Sequence, residues 1–184
     1  MLNIINTVDE SRRESLLALL AVSGLHDVSM IEVGSYTGES AKVFISSPLV
    51  KNLLCVDTWV GGYDNGDPIS NSEYWAVELI FDKIVERSNG KISKFKGTLQ
   101  QLITQGQKPS PDLIYLDANH IYEVTKQDIK SALELHPKII AGHDYGMHQQ
   151  GVIKAVDELF GRPDVLFRDS SWLVRLDDRQ AADT

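Results

Sequence analysis

The chain has 184 residues, enough for one domain with a substantial core and too few for two comfortable ones. Its 42% hydrophobic and 24% charged content is that of an ordinary globular protein, and no apolar run approaches the roughly 20 residues that a membrane span requires. A net charge of -8 with no cluster of Lys or Arg leaves no footprint for nucleic-acid phosphates or anionic lipid, so neither nucleic acid nor membrane is expected as a partner.

The N-terminal stretch MLNIINTVDESRRES lacks a basic region followed by an apolar run and a small-residue cleavage site, which favours a cytoplasmic location. Leu16, Leu17 and Leu20 then fall at helical spacing behind a Thr7 or Asp9 cap, and Gly24 stops the run, predicting a helix over 8–23. From residue 28 to the end, strand and helix patterns alternate. VSMIEVG, NLLCVD, KISKF, PDLIYLD and PKIIAG read as strands, each followed by an amphipathic stretch. The continuous apolar character of IYL and KIIA fits strands buried on both faces. DVLFR and SWLVRL are separated by only Asp169 and Ser170, or by Ser171 as well where the second run is counted from Trp172, a hairpin connection that predicts an antiparallel pair at the sheet edge. The series predicts a single α/β domain over 1–184, with a doubly wound, Rossmann-like, mostly parallel sheet formed by residues 28–184. Ligands of such sheets bind beyond the carboxyl ends of the strands. The lone Cys55, inside NLLCVD, reads as a buried small hydrophobe. The irregular stretch from Thr58 to Ser72 is long for a connection in a compact domain, a length more typical of lids and binding loops. Within it, Trp59 and Tyr63 either close over a ligand or anchor the loop.

Two glycines, Gly34 and Gly38, follow the first strand in MIEVGSYTGES, where a helix start can present backbone N–H groups to a ligand. The three-glycine dinucleotide pattern is not met, which disfavours NAD. Asp57 ends the second strand, where a carboxylate can accept from both hydroxyls of a ribose. LIYLDANHIYE and IIAGHDYG place Asp117, His120, His143 and Asp144 at the tips of the fourth and fifth strands, over one crevice.

Together EVGSYTGES, CVDTW, YLDANHIYEVTKQDI and AGHDYGMHQQGVIKAVDELF resemble the class I S-adenosylmethionine-dependent methyltransferases, in particular the small-molecule branch with a D-G-D-H-S-Y-type stretch and a later H-D-Y. The resemblance implies a seven-stranded sheet whose last strand is antiparallel. It implies that Glu32, Gly34 and Gly38 approach the methionine and ribose part of the cofactor, with Ser40 capping the loop, and that Asp57 takes the ribose hydroxyls. Thr98, Leu99 and Gln100 would frame the adenine, although Thr98 reads equally well as a helix cap. Asp117 is counted with both cofactor and acceptor.

A hydroxyl acceptor must lose its proton, and two devices are available. His120 can act as general base, imidazole being the side chain that titrates nearest neutrality. Alternatively, Mg²⁺ held by Asp117 and Asp144 can lower the acceptor's pKa, as in the metal-dependent relatives. The chain departs from those relatives in reading Asp117-Ala118-Asn119-His120 and His143-Asp144, and both changes remove negative charge. His148 is close enough in sequence to join the site. The expectation is O-methylation of a small-molecule hydroxyl, on a sugar or a natural-product intermediate, by a protein able to dimerise through its edge hairpin or first helix. The alternative is a nucleoside-binding protein of the same fold without transfer activity. A metal-dependent hydrolase lacks a positioned nucleophile, and the absence of an N/D-P-P-Y stretch disfavours a base methylase.

Overall fold

Asp9 opens the first helix, α1 (Glu10–Ser23), by accepting from the Arg12 N–H at 2.8 Å, which satisfies one of the free donors of the first turn. Gly24, at φ 71°, ends it in the left-handed conformation that costs glycine little. The computed structural model describes residues 5, 7–64, 66–146 and 148–176. Strand and helix then alternate as β1 (Val28–Val33), α2 (Glu39–Ser46), β2 (Val50–Asp57), α3 (Tyr74–Arg87), β3 (Ile92–Lys96) and α4 (Leu99–Thr104). They continue as β4 (Leu113–Leu116), α5 (Tyr122–Leu133), β5 (Ile139–Gly142), α6 (Gln150–Phe160), β6 (Val165–Leu166) and β7 (Trp172–Arg175).

The seven strands lie in the order β3-β2-β1-β4-β5-β7-β6. All neighbours from β3 through β5 are parallel, while β7 runs antiparallel to both β5 and β6. The closing hairpin therefore forms as the spacing predicts, with β7 inside it and β6 reduced to Val165–Leu166 at the edge. Strand order reverses between β1 and β4, the switch point at which such sheets open a crevice.

Alternation along each strand divides the core. Met30, Leu113 and Tyr115 join Leu16, Phe44 and Phe81 on the face covered by α1, α2 and α3. Ile31, Ile114 and Leu116 join Leu102, Ile129 and Val156 on the other face. Burial of one such side chain contributes about 1.5–3 kcal/mol. Cys55 belongs to the first of these clusters, as a buried small hydrophobe. No helix among the described residues is long and apolar enough to cross a membrane.

The crevice depends on how closely β1 and β4 end. The Asp117 N–H donates to the Val33 carbonyl at 2.8 Å and the Gly34 N–H to the Val56 carbonyl at 2.9 Å, which extends the pairing past the strand ends. Gly34 has φ 87°, and a Cβ there would lie 2.1 Å from the Asp117 carbonyl oxygen. Gly34→Ala is expected to lower stability by more than the roughly 1–3 kcal/mol of the left-handed conformation alone, because the two tips must separate. Urea denaturation measures this; an unchanged midpoint would show that the tips part freely.

Candidate active site

The carboxyl ends of β1, β2 and β4 open onto a cavity of about 440 Å³, a volume usual for small-ligand sites. Gly34, Ser35, Tyr36 and Ser40 form its floor. Glu32 lies beneath that floor, fully buried, and Ser35 Oγ donates to its Oε2 at 2.7 Å. Burial pushes the Glu32 carboxyl up to about 7, against hydrogen bonds from Ser35 and Ser40 that favour its charge. Glu32 thus acts on the cavity through the two serines and is not among the lining residues. Ser40 does not cap the loop: the cap position of α2 is Gly38, with no side-chain bond, and Ser40 sits two residues further on, inside the first turn, hydrogen-bonded to Glu32. Gly38 also stays out of the cavity; its φ is 83°, and a Cβ would meet Phe81 and Ile84 at 2.9 Å.

Asp57 ends β2 at the cavity wall and accepts from the N–H groups of Tyr36 at 2.8 Å and Trp59 at 2.7 Å. Burial nevertheless raises its carboxyl above the ordinary range. After β3, Gly97 and Thr98 reach the cavity. Thr98 also caps α4 in a reciprocal capping box with Gln101, so a helix cap and a place on the cavity wall coincide in one residue. Leu99 and Gln100 do not line the cavity: Leu99 is fully buried in the core and Gln100 is exposed. The reason is helical phase, since each step turns the side chain by about 100°.

The acid and imidazole cluster stands at the tips of β4 and β5. His120 Nε2 lies 3.0 Å from Asp144 Oδ2, and His143 Nδ1 lies 3.1 Å from the same oxygen. Asp64, from the long loop, approaches His120 Nδ1 at 3.5 Å. Burial would lower the His120 pKa, but the hydrogen bond and charge of Asp144 prevail and raise it to about 9. Burial likewise opposes the charge on Asp144, yet both imidazoles hold its carboxyl well below the usual range. Burial pushes the Asp117 carboxyl up, while Arg12 and His143 pull it back. His148 is exposed and stays outside this group.

The long loop folds across the strand tips. Tyr63 lines the cavity and donates to Asp67 Oδ2 at 2.9 Å, and the Tyr63 carbonyl accepts from Asn119 Nδ2 at 3.4 Å. Trp59 is an anchor: it is buried, donates from Nε1 to the Tyr36 carbonyl at 2.9 Å and packs on Phe81.

Three contributors escape sequence reasoning. Arg12 of α1 lines the cavity and forms an ion pair with Asp117, a contact between residues 105 apart for which no local pattern exists. Asp64 belongs to irregular chain. Asp128 is more legible: on α5 it shares a face with buried Thr125, Ile129 and Ala132, where an acid breaks the apolar pattern. It lines the cavity, and burial pushes its carboxyl up to about 7. Gly151 has a supporting part, since a Cβ there would lie 2.1 Å from the His120 carbonyl oxygen, so glycine lets α6 start against that loop.

A family model described as a methyltransferase domain matches residues 31–145. Among solved structures, the apo form of CalS11, a TDP-rhamnose 3'-O-methyltransferase of calicheamicin biosynthesis, aligns at a TM-score of 0.63 and 18% identity, covering 91% of this chain and 81% of that one. An O-methyltransferase from Bacillus cereus in complex with SAH aligns at 0.53 and 17% identity, covering 92% and 90%. A putative caffeoyl-CoA O-methyltransferase from Staphylococcus aureus aligns at 0.61 and 11%, covering 92% and 84%. At these identities the likeness is one of fold. No curated protein matches the chain.

Glu32 binds its proton more tightly in the folded chain, at about 7 against an ordinary value of 4.5. Its stabilising contribution is therefore complete below the ordinary value and is lost as pH rises through about 7. Glu32→Gln, which keeps an acceptor for Ser35 and cannot ionise, is expected to flatten the fall in unfolding midpoint between about pH 5 and about pH 8 relative to wild type. Equal slopes in urea titrations of the two proteins would show that Glu32 is ionised in the fold throughout.

Proposed function

We propose that the chain, which belongs to the methyltransferase-domain family and is a class I S-adenosylmethionine-dependent methyltransferase, methylates a hydroxyl of a small molecule of the sugar or natural-product kind. The observation that carries this reading is the His120–Asp144 pair, 3.0 Å apart, on the wall of the cavity whose floor is the glycine turn.

The residues present suit the cofactor. Asp57 keeps lone pairs beyond the bonds it accepts from the backbone of Tyr36, Trp59 and Ser35 and lines the cavity, as an acceptor for two vicinal hydroxyls must. Val33, Val56 and Val124 give the cavity apolar walls, and the carboxylates of Asp57, Asp67 and Asp117 give it the negative potential that a sulfonium favours. When bound, the cofactor supplies a methyl carbon activated by positive sulfur, so the chain need only hold the acceptor in line and remove a proton.

Proton removal falls to the cluster at β4 and β5. The hydrogen bond to Asp144 holds the His120 proton up to about 9, so the hydroxyl's proton passes to His120 in its neutral form, whose share grows as pH rises toward that value. His143 holds Asp144 from the other side and fixes where its second oxygen faces. The long loop, through Tyr63, and the segment before α1, through Ile5 and Thr7, line the cavity, and Asp64 of the loop approaches His120. That enclosure, with the acidic net charge of the chain, favours a small acceptor over a polymer. The fold likeness to the TDP-rhamnose 3'-O-methyltransferase and to the putative caffeoyl-CoA O-methyltransferase agrees with a hydroxyl acceptor.

Two measurements test the assignment. In calorimetric titration, S-adenosylmethionine and S-adenosylhomocysteine are expected to bind at dissociation constants on the order of micromolar, and Asp57→Ala to weaken binding by roughly tenfold or more, about 1.4 kcal/mol. With a panel of hydroxylated acceptors and S-adenosylhomocysteine release as the readout, His120→Asn and Asp144→Asn are each expected to lower kcat by about 10²–10⁴ while leaving cofactor affinity within a few fold. Turnover that survives both substitutions would remove the pair from the chemistry.

A further inference from the structure

Mg²⁺ on Asp117 and Asp144 is the expectation that the residues present fit least. Proximity is not the obstacle, because Asp117, His143 and Asp144 each offer an atom within 4.8 Å of the others. The obstacle is that each carboxylate already faces cationic side chains. Arg12 Nη2 pairs with Asp117 Oδ2, and His120 and His143 both lie on Asp144 Oδ2. One of the three donors is also an imidazole nitrogen, whereas Mg²⁺ prefers an octahedral set of oxygens.

Arg12 is built into this position. It stands in the first turn of α1, and its Nη1 donates to the Thr7 carbonyl at 3.0 Å. Thr7 is tied in turn to α2, donating from N and Oγ1 to Glu39 Oε2 at 2.7 and 3.1 Å. The Ile5 N–H donates to the Tyr36 hydroxyl at 3.1 Å. The Arg12 side chain is only 13% exposed, and its Nε is buried with no hydrogen-bond partner among the described residues. Such an orphaned donor is a cost, and it calls for an explanation in what the rest of the group does. A guanidinium keeps its charge at every working pH, which neither imidazole does.

We propose that Arg12 is the resident cation of this site: its guanidinium holds Asp117 in place of a divalent ion, the wild-type protein binds no metal there, and loss of Arg12 creates a metal site. The guanidinium supplies positive charge and fixed N–H donors on the cavity wall but offers no open coordination position. The inference concerns the cation at Asp117 alone and stands apart from the choice of acceptor.

Mn²⁺ is the probe, followed by electron paramagnetic resonance of the free ion on the full-length protein. The wild-type protein and Arg12→Lys, which keeps a cation, are expected to leave the free signal unchanged. Arg12→Met is expected to remove it with an affinity at least tenfold higher, and Asp117→Asn added to Arg12→Met to restore it. Methyl transfer by the wild-type protein is expected to withstand EDTA. Tight Mn²⁺ binding by wild type that Asp117→Asn abolishes would overturn the proposal, and so would an Arg12→Met protein that binds no better than wild type. Circular dichroism checks folding first; if Arg12→Met does not fold, Arg12→Gln replaces it, and the wild-type titration decides independently.

Discussion

The Asp117 carbonyl occupies the space in which any residue but glycine at position 34 would put its Cβ. That approach of β1 to β4 is the constraint on which the site depends. It brings the turn after β1, which floors the cavity, against the residue that begins the acid and imidazole cluster, so that a ligand on one side meets proton-handling groups on the other. The pairing is carried past the strand ends, since His143 N–H still donates to the Leu116 carbonyl at 3.0 Å and thereby aligns β5 with β4. Gly151 repeats the device on the far side, where it admits α6 against His120. Two glycines thus fix the height and position of the loop that carries Asp117, Asn119 and His120.

Charge within this frame follows from burial. Glu32 has little water and only hydroxyl and thiol partners, so desolvation prevails and the proton is held tightly. Asp144 is partly buried on the cavity wall, but two imidazoles face it, and the opposite result follows. Two carboxylates a few residues from the same cavity are therefore tuned in opposite directions by their neighbours. Glu32, with its proton held up to about 7, is hydrogen-bonded to Ser35 and Ser40 of the floor. The charged one faces the chemistry.

β4 and β5 are legible because burial on both faces leaves an unbroken apolar run, and the cluster is legible because Asp117, His120, His143 and Asp144 follow those two runs within a few residues. What the letters did not carry is orientation and distance along the chain. Leu99 and Gln100 fell beside the right turn, but helical phase sent one into the core and the other to solvent. Ser40 stood at a plausible cap position, yet Gly38 had already begun the helix. Arg12 lies in a segment whose letters carry only helix signals, and its partner is 105 residues away. Asp128 alone had a local signal, an acid on the apolar face of α5, because Thr125, Ile129 and Ala132 mark that face.

Desolvation sets the terms of the cluster as a whole. Carboxylates at the depth of Asp117 and Asp144 cannot both remain ionised without positive charge beside them. The chain supplies three such groups, and they differ in kind. Arg12 is permanent, so Asp117 keeps its partner across the working pH range. His120 is conditional: as pH rises through about 9 it gives up its proton and leaves Asp144 to His143. A hydroxyl entering beside His120 therefore meets a pair whose proton can move, next to a pair whose charge cannot. The fixed pair holds the site together electrostatically, and the movable one is left for the reaction.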